Sequence, residues 1–591
     1  MNLKDILSPF SAWKNLLKDP VTVKDPINDR PGAARYRGFH KNDIEKCIGC
    51  GTCEEICENE AIDLVEAAGI ETKEGDSGLR PRVDYGRCCW CALCVDVCPT
   101  GSLTMSNEYI WVDNNPDVFR YTPGVESKEW DQNELGWTKP DYNLYEPERI
   151  NMEELDPNER KKSFMEIVRG YSKEQAEKEA DRCVQCGLCV ATCPAHMDIP
   201  GYIEAVREGN MEKGLQLLYD TNPLPEICGR VCTHRCETVC AVGHEGDPLA
   251  IRWLKRYIAD AVPFEKYKEI LGVTDIESNG KHIGIIGAGP AGLAAAYYLR
   301  IRGFDVTIYE AKSKGGGMTM YGIPKYRLPE NMLDSEIGFI EDIGVKINYE
   351  TQVGEDISFD EIYNTYDAVF VGIGFHKPYT LAIEGEDLPG SMQAVDFLDR
   401  INKGEKVDIG RKTAVIGGGN VALDAARVAK RQVDEVTILY RRRVQDMPAD
   451  EEEIEGGYDE GVKIDPQTIP VEIIPDDDGK VKAIKYLRAK LIKQEEGKRP
   501  RPVPIEGSEE TLEVDSVIGA IGQEANYSFL PEKFEQEIEL KRGRMVVNKK
   551  NQTSVEKIFA GGDAVNRTAD AITAIADGHR AADGIEKMLL K

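Results

Sequence analysis

Ile283-Gly284-Ile285-Ile286-Gly287-Ala288-Gly289-Pro290-Ala291-Gly292 is an apolar run that passes into a G-x-G-x-x-G turn. The pattern predicts a strand before the turn, a helix over 293–301 and a second strand over 305–309 that ends at Glu310. In such a turn the glycines permit close approach of a pyrophosphate, and the helix N-terminus presents unpaired N–H groups to it. Glu310 follows Gly287 by 23 residues, where a carboxylate accepts hydrogen bonds from a ribose hydroxyl. The stretch therefore predicts a dinucleotide-binding domain, although a glycine-rich turn without these neighbours would be weak evidence.

A second turn of the same kind lies between predicted strands over 413–416 and 435–439, with a helix over 425–431. Its candidate ligands are Gly417, Gly419, Asn420 and Val421. Tyr440 stands where the first turn has Glu310, and Arg441, Arg442 and Arg443 follow it. A missing carboxylate with added guanidinium groups favours a 2′-phosphate, so we expect NADP(H) here and a nucleotide with free ribose hydroxyls at the first turn. The alternative is a solvated basic cluster.

The composition indicates several domains and narrows the function classes. The chain has 591 residues, too many for one core, and a formal net charge of −30, which disfavours nucleic acid and anionic membranes as partners. Residues 1–5 lack the basic-then-apolar pattern of a signal peptide, and the long apolar stretch over 283–299 is explained by the first turn. Seventeen cysteines in tight C-x-x-C runs indicate metal binding rather than disulfides. We expect a cytoplasmic protein that is not integral to a membrane.

Two early cysteine runs share the spacing C-x-x-C-x-x-C-x-x-x-C. In this arrangement three thiolates of a run bind one cubane cluster, and the fourth binds the other cluster. The sequence therefore predicts one 4Fe–4S cluster on Cys47, Cys50, Cys53 and Cys98, and another on Cys57, Cys88, Cys91 and Cys94. Zinc and disulfides are the disfavoured alternatives. Cys89 is left over as a packed thiol.

A second group of eight cysteines is sufficient for two further clusters. Its members are Cys183, Cys186, Cys189, Cys193, Cys228, Cys232, Cys236 and Cys240. The last four are spaced four apart, which can place their thiols on one helical face. Sixteen of the seventeen cysteines then have a ligand role, which favours metal over a collection of core cysteines.

Two resemblances extend this interpretation. The two runs between Cys47 and Cys98 resemble two-cluster bacterial ferredoxins and, with the lead-in at 35–38, the ferredoxin-type subunits of complex I and membrane hydrogenases. The segment 222–251, with Asn222-Pro223, the Cys228-Gly229-Arg230-Val231-Cys232 run and Pro248-Leu249-Ala250-Ile251, resembles the small subunit of NADPH-dependent glutamate synthase. It is also similar to the N-terminal half of dihydropyrimidine dehydrogenase and to the large subunit of bifurcating ferredoxin:NADP oxidoreductase. This resemblance covers about 160–591.

The second resemblance implies ligand sets and cofactors. One cluster would be held by Cys183, Cys186, Cys189 and Cys240, and the other by Cys193, Cys232 and Cys236. Some relatives complete the latter with Gln or Glu; here Lys255 aligns with that position, and we expect Cys228 to take its place because an ammonium cannot ligate iron. The implied FAD contacts are Gly287, Gly289, Pro290, Ala291, Gly292, Glu310, Gly316, Gly317, Arg327, Gly374, Gly562, Asp563 and Thr573. The expected NADP contacts are Gly417, Gly419, Asn420, Val421, Arg441, Arg442 and Gly522.

The predicted fold is multidomain: an α+β two-cluster ferredoxin domain, an α-helical iron–sulfur domain, and an α/β flavoprotein whose NADP domain is inserted in its FAD domain. The expected boundaries are an arm over 1–35, the ferredoxin-like domain over 36–110, a linker over 111–160, the helical domain over 161–275, FAD segments over 276–405 and 516–591, and the NAD(P) domain over 406–515. Ile6, Phe10, Trp13 and Leu17 form an apolar stripe on the arm, which packs on its own domain or docks to a partner.

The expected function is an NAD(P)H-dependent iron–sulfur flavoprotein oxidoreductase subunit. It would move electrons between NADP(H), FAD and four 4Fe–4S clusters, to or from ferredoxin or a partner redox subunit of the hydrogenase or formate dehydrogenase type. Hydride transfer would occur at FAD without a dedicated catalytic side chain. Three alternatives stay open: a glutamate synthase small subunit, an NADPH-linked sulfide or polysulfide oxidoreductase, and a non-catalytic electron-wiring subunit. Flavin bifurcation is a further extension.

Overall fold

The computed structural model describes residues 8–16, 18–19, 22, 30–141, 146–495 and 498–590. The chain divides into two compact units. The first unit comprises 1–149, 182–189 and 238–249, and the second comprises 150–181, 190–237 and 250–591. No helix in the described ranges combines the length and the apolar character that crossing a lipid bilayer requires.

The first unit contains the ferredoxin-like fold. His40–Asn42 pairs antiparallel with Leu103–Met105, and a second sheet joins Ile62–Glu66, Leu79–Asp84 and Arg120–Tyr121. Two one-turn helices, Thr52–Glu55 and Leu93–Asp96, each follow a cysteine loop. Each helix is preceded by a left-handed residue, Gly51 or Ala92, which turns the chain between the second and third cysteines of its run.

The first part of the predicted linker over 111–160 belongs to the ferredoxin-like fold. Arg120–Tyr121 extends the second sheet, and the segment also forms the 3₁₀ turns Pro116–Phe119 and Glu129–Gln132. Trp130 is buried and stacks on Phe39 with ring centroids 4.6 Å apart, and Trp111 packs against the same core. The ferredoxin-like domain therefore extends well beyond residue 110, because its core needs aromatic rings supplied from the following segment.

The helical part of the chain consists of short elements. They are Pro157–Arg160, Lys173–Ala180, Leu188–Thr192, Ile199–Arg207, Met211–Tyr219, Pro225–Val231, Arg235–Thr238, Ala241–His244 (3₁₀), Ile251–Ala261, Phe264–Lys266 (3₁₀) and Tyr267–Ile270. The four-residue spacing from Cys228 to Cys240 does not form one helix, because the backbone is extended at Cys232 and again at Cys240. The thiols are instead distributed over two helices and the bends between them, which allows them to turn toward different centres.

The first dinucleotide fold is a five-stranded parallel sheet. Its strands, in spatial order, are Ile558–Ala560, Ala368–Val371, His282–Ile286, Asp305–Tyr309 and Lys346–Asn348. Pro290–Ile301 and Ala571–Leu589 pack against each other beside it. A Cβ at Gly292 would overlap the carbonyl oxygen of Gly287, so glycine at 292 is required for the helix to start this close to its strand.

The second dinucleotide fold is also a five-stranded parallel sheet, and it is wider than the sequence indicated. Its order is Ser391–Gln393, Ser516–Gly519, Lys412–Ile416, Glu435–Tyr440 and Lys463–Pro466. The two outermost segments in sequence, 391–393 and 516–519, had been assigned to the FAD segments. Both strands are very short, so nothing local in them specifies which sheet they join.

An antiparallel ribbon that the sequence analysis did not foresee accompanies this sheet. It consists of Thr468–Pro475, Val481–Ile492 and Arg501–Glu513. Further helices are Met318–Tyr321, Glu330–Asp342, Phe359–Thr365, Ala394–Asn402, Asn420–Lys430, Glu451–Asp459 and Glu532–Glu537, with 3₁₀ turns at Val444–Asp446 and Gly562–Ala564. The remaining two-stranded pairs are Lys377–Pro378 with Gln523–Glu524, and Leu540–Lys541 with Arg544–Met545.

The structure describes two of the four residues of the predicted N-terminal stripe. Ser8–Asn15 forms a 3₁₀ helix on which Phe10 and Trp13 are exposed. Ile6 and Leu17, the other two members of the predicted stripe, lie outside the described residues. Both predictions for the arm therefore stay open.

Candidate active site and cysteine clusters

One cleft in the second unit gathers most of the predicted cofactor residues. It has about 1320 Å³ of empty space, including solvent at its mouth. The predicted FAD residues in its lining are Gly287, Gly289, Pro290, Ala291, Glu310, Gly317, Arg327, Gly374, Gly562 and Asp563, joined by Asn420 and Val421 of the second glycine turn. Gly292, Gly316 and Thr573 lie next to lining residues in the chain rather than in the lining. The two glycine turns therefore open onto one shared space.

The first glycine turn has room for a ligand at its middle position. Gly287 has a φ of 96°, which favours glycine, and Gly317 has a φ of 56°. A Cβ built at Gly289 would meet nothing nearer than the Gly317 Cα and the Gly372 oxygen, both at 4.0 Å. Because the space over Gly289 is otherwise open, a pyrophosphate can approach the backbone there. The turn therefore fits a dinucleotide.

Glu310 is held at the cleft by backbone donors. Its Oε2 accepts a hydrogen bond from the Ala288 N–H at 2.8 Å, and its Oε1 accepts one from the Lys312 N–H at 2.9 Å. Burial raises the pKa of this carboxyl, while the two backbone donors favour its charged form. The fixed orientation leaves further lone pairs of the carboxylate as acceptors, and the role of Glu310 toward ribose hydroxyls stays a prediction.

The opposite wall of the cleft is acidic. Asp563 follows the strand Ile558–Ala560, and burial, with the neighbouring Asp570 carboxylate, raises its pKa to about 6. Asp570 caps the helix Ala571–Leu589 by accepting the Thr573 N–H at 2.8 Å. This cap engages the backbone N–H of Thr573, while its buried hydroxyl makes no hydrogen bond within the described residues, so its predicted contact with FAD stays a prediction.

Arg327 lies in the cleft but is engaged by carboxylates. Its Nη1 donates to both oxygens of Asp424 at 2.8 and 3.0 Å, and its Nε lies 2.8 Å from Glu453. Asp424 is on the helix Asn420–Lys430, so these bonds join the loop after the first glycine turn to the second nucleotide fold. The sequence analysis placed Arg327 among the FAD contacts and did not foresee this ion pairing.

The three arginines beside the second glycine turn interact with different groups. Arg442 donates from Nε to the Pro500 oxygen at 2.8 Å, and Arg443 forms an ion pair with Asp446 at 2.8 Å. Burial lowers the pKa of Arg441, and the charges of Arg442 and Arg499 lower it further. A cluster of like charges of this kind is suited to an anion. Arg499, next to the ribbon strand Arg501–Glu513, was missed because it is 58 residues from Arg441 in the chain.

Gly522, the last predicted NADP residue, lies away from the arginine run. Its φ is 115°, and its carbonyl oxygen accepts the Tyr379 N–H at 3.0 Å. Its neighbour Gln523 lines the cleft. The structure thus places this turn at the edge of the cleft on the side of the second sheet.

Two thiol sets lie in the ferredoxin-like fold. We call Cys47, Cys50, Cys53 and Cys98 set A, and Cys57, Cys88, Cys91 and Cys94 set B. Burial raises the pKa of Cys53, with further contributions from the other three thiols of set A and from Cys94. Burial likewise raises the pKa of Cys94, with contributions from the other three members of set B. Mutually repelling thiolates of this kind are stabilised by a cationic cluster, so both sets fit 4Fe–4S.

Set C, defined as Cys183, Cys186, Cys189 and Cys240, also lies in the first unit. Burial raises the pKa of Cys189, and the other three thiols of the set raise it further. Leu188 packs with Ile48 in a small apolar cluster that includes Cys50 and Cys186. Set C therefore adjoins set A, which the separate positions of the two groups in the sequence did not indicate.

Set D, defined as Cys193, Cys228, Cys232 and Cys236, lies in the second unit. A buried cation accompanies it: Lys255 is 4% exposed on the helix Ile251–Ala261. Burial alone would lower the pKa of its ammonium, but the thiolates of set D raise it above the ordinary value. A Cβ at Gly229 would overlap the Arg256 backbone, so this glycine brings the helix with Lys255 close to the helix with Cys228. Cys228 is fully buried and interacts electrostatically with Lys255, Cys232 and Cys193, and its role as a replacement ligand stays a prediction.

Set D adjoins the cleft. Val231 and Thr233, the two neighbours of Cys232, both line it. Thr233 donates from its hydroxyl to Asp570 at 3.4 Å. Cys232 is therefore flanked on both sides in the chain by residues of the cleft lining, and this proposed ligand position lies next to the cleft.

The thiol sets are not single-ion sites. Across the residues that the structure describes, no three His, Cys, Asp or Glu side chains are arranged to hold one metal ion. In a cubane cluster each thiolate binds a different iron atom, so four sulfurs need not converge on one point.

Comparison with known families divides the chain in the same way. Residues 46–102 match the family described as "4Fe-4S dicluster domain". Residues 160–266 match "dihydropyrimidine dehydrogenase domain II, 4Fe-4S cluster", and residues 281–578 match "pyridine nucleotide-disulphide oxidoreductase". The matches cover sets A and B, sets C and D, and both nucleotide folds in turn.

Three curated relatives illustrate the similarity. The NADPH-Fe(3+) oxidoreductase subunit beta of Geobacter sulfurreducens is 38% identical over 436 residues, covering 68% of this chain and 63% of that protein. The NADP(+)-dependent formate dehydrogenase subunit beta of Moorella thermoacetica is 40% identical over 425 residues, covering 68% and 60%. The glutamate synthase [NADPH] small chain of Escherichia coli is 33% identical over 470 residues, covering 74% and 98%. The chain thus spans less than two thirds of the length of the first two relatives.

Proposed function

We propose, since this chain belongs to the family of iron–sulfur flavoprotein oxidoreductases related to the glutamate synthase small subunit, that it carries electrons between NADP(H) and a partner redox protein. FAD would occupy the first glycine turn, NADP(H) the second, and 4Fe–4S clusters the four thiol sets. The observation that carries the proposal is the single cleft, which is lined by both glycine turns and by the two neighbours of Cys232.

Each part of the cleft has a distinct task in this proposal. When bound, FAD supplies the exchange between two-electron hydride chemistry and one-electron transfer. The open backbone at Gly289 would admit its pyrophosphate, and Glu310 would accept hydrogen bonds from its ribose hydroxyls. Asp563 would help to hold its ribityl–phosphate part. The contacts of Arg327 with Asp424 and Glu453 hold the two nucleotide folds in register over the cleft.

The preference for NADP(H) rests on the arginine run. Tyr440 has no carboxylate that could accept a hydrogen bond from the ribose hydroxyl. Its own hydroxyl already donates a hydrogen bond to the backbone carbonyl oxygen of Asp446 at 2.8 Å. Arg441 and Arg442 supply donors for a 2′-phosphate, whereas Arg443 is paired with Asp446. Arg499 adds positive charge beside them. This distribution supports a site for a phosphorylated ribose.

The thiol sets suggest a route from the cleft to solvent. Set D lies beside the cleft, and its Cys193 is four positions from Cys189 of set C in the sequence. Set C adjoins set A, and sets A and B share the ferredoxin-like core. All sixteen proposed ligands are described, and Cys91 of set B is the only exposed one. Within the second unit, set D would exchange electrons with the cleft, and within the first unit, sets C, A and B would carry electrons to or from the surface.

The partner would meet set B. Trp90 and Leu93 flank Cys91 and are themselves partly exposed, so an apolar surface surrounds the exposed ligand. Such a surface suits another electron-carrying protein, either ferredoxin or a redox subunit of the hydrogenase or formate dehydrogenase type. We place the reaction in the cytoplasm, in accordance with the expectation from the sequence.

A second candidate is the small subunit of a glutamate synthase. It is favoured by the match to 98% of the Escherichia coli small chain. That match covers 74% of the present chain, which leaves a quarter of it outside. A glutamate synthase partner would have to account for that additional part.

The proposal is tested by native, anaerobic purification followed by mass spectrometry of co-purifying proteins and assay of flavin, iron and sulfide. We expect FAD, iron and sulfide for four cubane clusters, and a partner with a metal active site or a ferredoxin. A glutaminase-bearing partner would replace the leading proposal with the glutamate synthase candidate. A preparation that contains flavin but whose flavin absorbance is not bleached by NADPH would leave only an electron-wiring role.

A further inference from the structure

His40 lies against a proposed cluster ligand. It begins the strand His40–Asn42 and is 1% exposed. Its Nε2 lies 3.4 Å from the Cys94 Sγ, and its Nδ1 lies 3.2 Å from the Tyr85 hydroxyl. The sequence analysis gave His40 no role, because it precedes the first cysteine run and is 54 residues from Cys94.

The hydrogen bonds around Tyr85 determine which ring nitrogen carries the proton. The backbone N–H of His40 donates to the Tyr85 oxygen at 2.8 Å. A ligating Cys94 thiolate has no hydrogen to donate, so its contact with Nε2 is a hydrogen bond when Nε2 carries the N–H, and Nδ1 then accepts the phenolic hydrogen of Tyr85. In this arrangement the single N–H of the neutral imidazole is on Nε2. That N–H points at the Cys94 sulfur.

We propose that His40 is a positioning residue that donates its Nε2–H to the Cys94 thiolate and so raises the reduction potential of the cluster on set B. The proposal rests on the assignment of a 4Fe–4S cluster to this set. One-electron reduction adds one negative charge to the cluster and its thiolates, and a hydrogen bond to a ligand sulfur stabilises that charge. No proton is transferred, since the N–H bond stays intact in both states.

This hydrogen bond lies at the surface end of the proposed electron-transfer route. Set B contains the exposed ligand Cys91, so its potential governs whether an electron that reaches the surface stays or leaves. The sulfurs of set A have hydroxyl groups beside them: those of Ser102 and Thr100 lie 3.4 and 3.7 Å from Cys98, and that of Thr52 lies 3.3 Å from Cys50. The imidazole donor is therefore a feature by which set B differs from set A, at the cluster that has the exposed ligand.

The test is a redox titration of the full-length, cluster-loaded protein followed by electron paramagnetic resonance. His40→Phe keeps an aromatic ring in the buried site and removes the donor. We expect one of the four cluster potentials to become more negative, with at least a tenfold fall in the equilibrium constant for one-electron reduction, which is about 59 mV. His40→Gln retains an N–H donor and should recover part of the shift. Tyr85→Phe, which frees Nδ1 from its donor, should shift the same cluster.

Matched controls separate the possible results. Ser102→Ala removes a hydroxyl beside set A and should move a different cluster signal. Exchangeable-proton and ¹⁵N-histidine couplings to reduced set B should be present in the wild-type protein and absent in His40→Phe. An assembled cluster with unchanged potential and couplings in His40→Phe would overturn the inference alone. If set B of the wild-type protein held no cluster, the assignment underlying the proposed function would fail instead.

Discussion

Replacing Arg441 and Arg442 by Gln should remove the preference for NADPH. Arg442 is half-buried with its Nε committed to Pro500, which leaves its terminal N–H groups for a phosphate, and Arg441 is exposed. A hydrogen bond to a charged group contributes about 1.5–3 kcal/mol, and the lower end applies because solvent reaches both side chains. At about 1.4 kcal/mol per factor of ten, each loss lowers kcat/KM for NADPH roughly tenfold, and the double loss roughly a hundredfold.

The assay is anaerobic reduction of the bound flavin by NADPH and by NADH, with kcat/KM measured for each. The value for NADH should be unchanged, because NADH has no 2′-phosphate. Arg443→Gln is the matched control: its partner is Asp446, so it should leave both coenzymes unaffected. An equal loss for both coenzymes, or no loss for NADPH, would refute the role of these arginines and support the solvated-cluster interpretation.

Three further predictions concern the other sites. Gly289→Leu should abolish flavin binding while circular dichroism stays unchanged, because the side chain would fill the open space over the first turn; normal flavin content would contradict the site. Lys255→Leu should make the potential of the set D cluster more negative in a redox titration, whereas Lys255→Arg should preserve it; equal potentials in both variants would exclude a charge effect. Leu93→Glu should slow electron transfer to ferredoxin as a protein acceptor without slowing flavin reduction by NADPH, and the control Val112→Glu, at another exposed apolar position, should not; equal slowing by both would count against a docking surface at set B.

The sequence was most informative where function depends on local pattern. The strand Asp305–Tyr309 has the predicted bounds, and the strands Lys412–Ile416 and Glu435–Tyr440 each differ from prediction by one residue. Turns and their flanking strands are encoded by neighbouring residues, so they can be recognised without knowledge of the tertiary fold. The same holds for the spacing within each cysteine run.

Features that depend on distant parts of the chain were not predictable. The strand Ser516–Gly519 joins the second sheet only because Lys412–Ile416 lies beside it. Trp130 belongs to the ferredoxin-like core because Phe39, far earlier in the chain, stacks on it. The ion pairs of Arg327 and the contact of His40 with Cys94 likewise join elements that the sequence does not relate. The placement of Cys228 to Cys240 on one helical face was wrong because the backbone is extended at Cys232 and at Cys240, which interrupts the helix.

The most direct test of the account is an anaerobic NADPH titration of the loaded protein, followed by optical absorption of the flavin and paramagnetic resonance of the clusters. The account predicts that NADPH bleaches the flavin and that signals of reduced 4Fe–4S clusters then appear, with Cys232→Ser leaving flavin bleaching intact and suppressing the cluster signals. Cluster reduction by NADPH that is unimpaired in Cys232→Ser would contradict a route that leaves the cleft through set D.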